Sequence, residues 1–200
     1  MKLNKPRFLI LHHTNGIYGN PNYDSSGVTF EQVNEYHKRK WNFKSSLGYY
    51  IAYQYFIDWS GKITQGRADT DIGAHTLRMN DKSIGICLSG NFSRIGKNNL
   101  PSWEQQESLR NLIIRLMKKY DIPLSKVVEH SFFSNTDCAG KNITKEWINT
   151  LLKEKLKNDE EIKIELLTKQ IGILQKLIQI YTKLYRLLFA KKVGGRDRED

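Results

Sequence analysis

RFLILHHT, residues 7–14, is an apolar run ending in polar groups, the pattern of a central strand that delivers side chains to one edge of a sheet. Successive strand residues face opposite ways, so only one of His12 and His13 can point at a common site, and spacing does not say which. A second stretch far downstream completes the pattern: HSFFSNTDC, residues 130–138. His130 follows the β-branched pair Val127-Val128 and so stands at the end of another short strand. Cys138 lies in a polar loop, where a thiol has no packing role. One imidazole of the pair, His130 and Cys138 form a candidate three-ligand set with an open fourth position, the arrangement of a catalytic zinc. The spacing alone is not a closed structural-zinc signature.

Between these two stretches, strands alternate with helices. Asn15–Gly27 is rich in Gly, Asn, Ser and Pro and reads as a loop lining a groove. Thr29 caps a helix to about Lys40, with Phe30, Val33, Tyr36 and His37 on one face; His37, beside that stripe, reads as a satisfied, partly buried histidine and not a ligand. Ile51–Asp58, Trp59-Ser60-Gly61 and Lys62–Gln65 predict a hairpin with a glycine turn, Tyr53 and Tyr55 sharing a strand face. Gly73-Ala74-His75 falls in a loop, and Ser83–Asn91 is a strand of small residues that admit close approach. Pro101 and Ser102 open a helix over Trp103–Tyr120, Asp121-Ile122-Pro123 stops it, Val127–His130 is the next strand, and Thr144 caps a helix to Leu156. The pattern predicts an α/β domain of about 150 residues around one sheet.

Composition excludes several classes. Of 200 residues, 39% are hydrophobic, enough for a core, and two cysteines make no disulfide framework; Cys87 lies in an apolar run that reads as a buried strand. Phe8–Leu11 is too short for a signal-peptide core, and no segment is clean enough to span a membrane. The expectation is synthesis in the cytoplasm, with any action on a cell wall requiring release by another route. The net charge of +11 favours polyanions, among them anionic lipid and bacterial wall polymers. No basic run interleaved with aromatics resembles a nucleic-acid module, so no nucleic-acid partner is expected.

Five motifs come in the order and spacing of one family: LILHHT, AYQYFIDWSGKITQGR, GAH, NDKSIGICLSGNF, and VVEH with NTDCAG. Over roughly residues 7–155 the chain resembles the zinc N-acetylmuramoyl-L-alanine amidases, which include phage lysozymes of amidase type and the peptidoglycan recognition proteins. The resemblance implies a single mixed sheet flanked by helices with a zinc groove on one face. It implies hydrolysis of the amide between N-acetylmuramic acid and L-alanine of the stem peptide. By the same resemblance the zinc ligands are His12, His130 and Cys138, and the catalytic residues are Tyr53, eight positions before Gly61, and Thr136, two before the cysteine. His75 takes a groove position, as a substrate contact or a loop anchor. Two departures stand out: Ala139 follows the cysteine where proline is common, and Gln54 stands where many members have histidine. The resemblance leaves two other functions open, a module that binds muropeptide without cutting it and a scaffold for another protein. Without a signal peptide, the chain fits a phage endolysin released through a holin or a cytoplasmic enzyme.

Beyond Leu156 the resemblance ends, dividing the chain into a domain over 1–156 and an appendage over 157–200. Lys157–Glu161 reads as a charged hinge, and Ile162 to about Ala190 as a long amphipathic helix with a disordered charged tail. Leu167, Ile171, Leu174, Ile178, Tyr181, Tyr185 and Leu188 follow a strict 4-3 alternation, with a second seam at Leu166, Ile173, Leu177, Ile180, Leu184 and Leu187. Together they cover four of every seven positions, wider than the seam of a dimeric coiled coil. Lys169, Lys176, Lys183 and Arg186 occupy the other face. The expectation is a homo-oligomeric helical bundle, with an anionic membrane surface or packing on the chain's own domain as the other readings.

Overall fold

The computed structural model describes residues 5–15, 23–93 and 99–193. Five strands, β1 (Phe8–His13), β2 (Tyr55–Ile57), β3 (Ile63–Gln65), β4 (Ser83–Leu88) and β5 (Val127–Glu129), form one mixed sheet in the order β3-β2-β4-β1-β5. All neighbours are parallel except β2 and β3, which pair antiparallel as the hairpin. β1 and β4 are buried along nearly their whole length, which is why both read as unbroken apolar runs. The hairpin turn needs Gly61 at φ +83, and the Asp58 carboxylate accepts from the Ser60 and Lys62 amides to close it.

Helices cover both faces. α1 (Phe30–Trp41) and α2 (Trp103–Tyr120) each begin in a capping box, Thr29 with Gln32 and Ser102 with Gln105, so the first free amides of each helix are satisfied. Phe30 of α1 packs edge-on against Phe56, whereas Arg115 of α2 lies over the ring of Tyr55. Phe56 and Tyr55 are successive strand residues, so the two helices sit on opposite faces. The single mixed sheet flanked by helices is the architecture expected, with a long C-terminal helix, α3 (Lys145–Val193), after it.

Three features differ from expectation. The strand read over Ile51–Asp58 shortens to Tyr55–Ile57. Side chains of α1 capture the amides that a longer ladder would use: Asn34 Oδ1 accepts from Tyr50 and Ile51, and His37 Nδ1 accepts from Ala52 at 3.1 Å. The backbone bends through Ala52–Gln54, so Tyr53 and Tyr55 do not share a face. Tyr53 joins the cluster of Phe30, Ile51, Phe56 and Cys87, whereas the Tyr55 hydroxyl donates to Asp69. Likewise, Ser83–Asn91 shortens to Ser83–Leu88, because Ser89, Gly90 and Asn91 turn away to bond the segments before α1 and after β1. Lys157–Glu161 is also no break: the backbone stays helical across it, since no proline or glycine interrupts α3 there. The charged tail and most of the Asn15–Gly27 loop lie outside the described residues.

The chain divides into two compact units, Met1–Lys153 and Glu154–Asp200. In the first, the opening turns of α3 are tied down by Arg110 Nε, which donates to the Leu151 carbonyl, and by Lys145 Nζ, which donates to those of Leu124 and Val127. In the second, α3 is helical to Val193 with its apolar residues exposed.

Candidate metal centre

His12 is the penultimate residue of β1. It lies in register with Cys87 of β4, which is itself in register with Phe56 of β2. Parallel partners point the same way, so His12 emerges on the α1 face and His13 on the other. On that opposite face His13 Nδ1 accepts from the Phe92 amide at 3.2 Å, and burial lowers the His13 pKa to about 4. β5 pairs with the other edge of β1, so its end brings His130 beside His12, ring centroids 4.6 Å apart. The Ser131 amide donates to the Cys138 carbonyl at 2.6 Å, folding the loop back, and the Cys138 amide donates to Thr136 Oγ1 at 3.2 Å. Cys138 Sγ lies 3.5 Å from His12 Nδ1.

One ligand atom from each of His12, His130 and Cys138 lies within 4.8 Å of the others. Adjacent ligands of a tetrahedral zinc stand ~3.3–3.8 Å apart, so small side-chain adjustments close this set on one ion. The electrostatics fit a cation as well. Burial lowers the His12 pKa well below its usual value, helped by the neighbouring His75, His130 and His13, and burial lowers that of His130, so both imidazoles keep a lone pair to offer. Burial pushes the Cys138 thiol up to about 12 against a backbone hydrogen bond from His13. A divalent ion reverses that preference by stabilising the thiolate directly.

His75 is buried against this set. Its Nδ1 lies 3.0 Å from His12 Nε2 and 3.1 Å from Thr76 Oγ1. A Cβ on Gly73 would meet the His75 ring at 2.4 Å and one on Gly85 at 2.7 Å, so two glycines make its slot. Asn80 Oδ1 accepts from both the His75 and Thr76 amides at 2.8 Å and fixes the loop. Burial drives the His75 pKa to about 3, so it is neutral. A metal ion on Nδ1 of His12 would leave the proton on Nε2, which would then donate to His75 Nδ1. That bond sets both the tautomer and the orientation of the ring.

Tyr53 lies over the site, its ring 5.0 Å from that of His12. Its hydroxyl rests against the Cys87 thiol, and burial raises its pKa well above 10, so it is a donor at neutral pH. The backbone leading to Tyr53 hangs on α1 through Asn34 and His37, and His37 is the satisfied, buried histidine expected. Arg67, 1% exposed, donates to the carbonyls of Ile51, Ile72 and Phe43 and holds three loop segments together. Gln54 bridges the Gly85 amide and the Asp71 carbonyl. Neither role for Arg67 or Gln54 has a local sequence signal, because each side chain serves backbone groups many residues away.

The family model described as N-acetylmuramoyl-L-alanine amidase matches residues 2–141. The peptidoglycan-recognition protein LB of Drosophila melanogaster is 30% identical over 139 residues, covering 66% of this chain and 54% of its own. A tyrosine-to-phenylalanine variant of that protein, solved with tracheal cytotoxin, superposes with a TM-score of 0.56 at 26% identity, over 74% of this chain and 83% of its own. The endolysin of Escherichia phage T7 is 31% identical over 101 residues, 48% of this chain and 61% of its own. The endolysin amidase LysCS from Clostridium intestinale URNW superposes with a TM-score of 0.59 at 26% identity, over 75% of this chain and 86% of its own. The chain thus spans just over half the length of these two curated relatives.

Proposed function

Because the chain belongs to the N-acetylmuramoyl-L-alanine amidase family, we propose that it hydrolyses the amide between N-acetylmuramic acid and L-alanine in bacterial peptidoglycan, using zinc held by His12, His130 and Cys138. The observation that carries this reading is the complete donor set, two neutral imidazoles and a thiol converging beside a protonated tyrosine. Zinc bound there supplies a water acidified toward neutrality and a Lewis acid for the scissile carbonyl.

The chain's own residues supply the rest. His75 holds the ring of His12, and Thr136 holds the backbone of Cys138, so two of the three ligands are oriented before any ion arrives. In this reading the Tyr53 hydroxyl donates to the oxyanion that develops as the amide carbonyl becomes tetrahedral. Its resting partner is a thiol, a weak acceptor, so turning to a charged oxygen exchanges a poor hydrogen bond for a strong one. Thr136 gives a hydroxyl and no charge at the position where some members carry lysine, leaving Tyr53 as the main donor. Among the described residues no carboxylate belongs to the cluster, so no carboxylate general base is assigned.

A muropeptide is the substrate this reading requires, and tracheal cytotoxin, held by the related recognition protein, is the ligand to try first. The test incubates the zinc-loaded chain with purified peptidoglycan and counts new L-alanine amino termini by mass spectrometry. Release that stops with a chelator and returns with zinc supports the amidase. Retention on the wall with no new L-alanine termini assigns the chain to recognition without cleavage.

A further inference from the structure

The apolar face of α3 beyond Ile162 plays no part in the site described. Its two seams are the same seam displaced by one residue: Leu166 precedes Leu167, Ile173 precedes Leu174, and so on to Leu187 and Leu188. One residue is a rotation of about 100° around a helix, so the seams look out in directions about 100° apart. In the structure the thirteen seam side chains are between 48% and 73% exposed.

We propose that this segment assembles with further copies of itself into a closed parallel ring of four or five helices, the first seam of each copy packing into the second seam of the next. A contact between two different surfaces of one chain is heterologous, and it closes into a ring when its rotation divides a full turn. Seams about 100° apart fall between the interior angles of about 90° for four helices and about 108° for five. A single a/d seam would stop at a pair; a second seam leaves each pair with unsatisfied apolar surface until the ring closes. At roughly 100 Å² of accessible surface per seam residue, each contact covers about 600–700 Å² per partner, close to the ~800 Å² of a standard stable interface, and ring closure gives every copy two such contacts.

The spacing of the first seam favours copies of the chain over a lipid surface. The first seam keeps a strict seven-residue repeat from Leu167 to Leu188. Such a repeat drifts ~20° per heptad around a straight helix, which supercoiled neighbours absorb and a flat membrane does not. Lys169, Lys176 and Lys183 recur every seven residues on the side away from both seams, so in a ring they face water and not one another. No helix among the described residues is long and apolar enough to cross a membrane, which leaves only a surface-lying alternative. Gln170 falls at the second-seam position between Leu166 and Ile173, where a polar side chain can set the register between copies.

The test is sedimentation equilibrium of the full chain at micromolar concentration, with and without anionic phosphatidylglycerol vesicles. The expected mass is about four to five times the 23.4 kDa chain. Ile173→Glu with Ile180→Glu, which touches only the second seam, reduces it to the monomer, as does Leu174→Glu with Ile178→Glu in the first. Lys176→Glu, on the outward face, leaves the mass unchanged. A monomeric wild-type chain overturns the proposal, whether it stays free or binds the vesicles. So does a dimer that survives the second-seam substitutions, since it would need only one seam.

Discussion

Replacing His75 tests whether the proposed zinc site depends on a residue outside its ligand set. His75→Leu keeps an apolar side chain in the slot between Gly73 and Gly85 but removes the acceptor 3.0 Å from His12 Nε2. His75→Asn places an amide oxygen near the position of Nδ1. Removing an outer partner of a ligating histidine costs about 10- to 100-fold in metal affinity, or about 1.4–2.7 kcal/mol. The lower end applies here, because Thr76 Oγ1 lies 3.5 Å from the same nitrogen and is the nearest replacement acceptor. We therefore predict that His75→Leu weakens zinc binding about tenfold and that His75→Asn recovers most of the loss. Thr76→Val in the His75→Leu background should then approach the full hundredfold. The assay is competition for zinc against a fluorescent chelator, with the thermal midpoint of each zinc-free protein measured in parallel to separate affinity from folding. Wild-type affinity in a folded His75→Leu protein would refute the assignment. Equal weakening in the Asn and Leu variants would too, since it would trace the effect to the shape of the slot and not to the hydrogen bond.

Further predictions concern the neighbouring residues. Tyr53→Phe should keep zinc and muropeptide binding but lower turnover by roughly two to three orders of magnitude, the usual loss for an oxyanion donor; near-normal turnover in a zinc-replete protein removes Tyr53 from the chemistry. His12→Ala should abolish zinc binding, whereas His13→Ala should keep it and lose about 1–3 kcal/mol of stability in urea, because the buried Phe92 amide loses its acceptor. If the two variants exchange these outcomes, the ligand is His13. His37 carries a pH dependence: burial lowers its pKa from 6.5 to about 4, so the unfolded chain binds its proton first as the solution acidifies. Its contribution is fully present above about pH 6.5 and is lost as pH falls toward 4, a change of about 2 kcal/mol between pH 7 and pH 5. His37→Gln should flatten that part of the stability profile, and an unchanged slope would place the dependence elsewhere.

Much of the fold and part of the site were legible in the chain alone, and the division follows from the range of the forces involved. Helix starts at Thr29 and Ser102, the hairpin at Gly61, and the buried strands around Ile10 and Ile86 depend on residues within a turn or two of each other, so their signals are local. Strand alternation established that His12 and His13 face opposite ways, and the family motif selected His12. The length of β2 was not legible, because Asn34 and His37, from another helix, take the amides that would have extended it. That capture separates Tyr53 from Tyr55, leaving the Tyr53 ring against His12 and the Tyr55 hydroxyl on Asp69. The bond from His12 to His75 joins residues 63 positions apart, and it exists because β1 and β4 pair in register while Gly85 leaves room above the sheet. Sequence by itself determined which side chains were available for chemistry and which local segments would carry them. Only the tertiary structure decided which atom meets which, because strand register and helix packing are set by burial summed over the whole core, to which no single motif contributes more than a part.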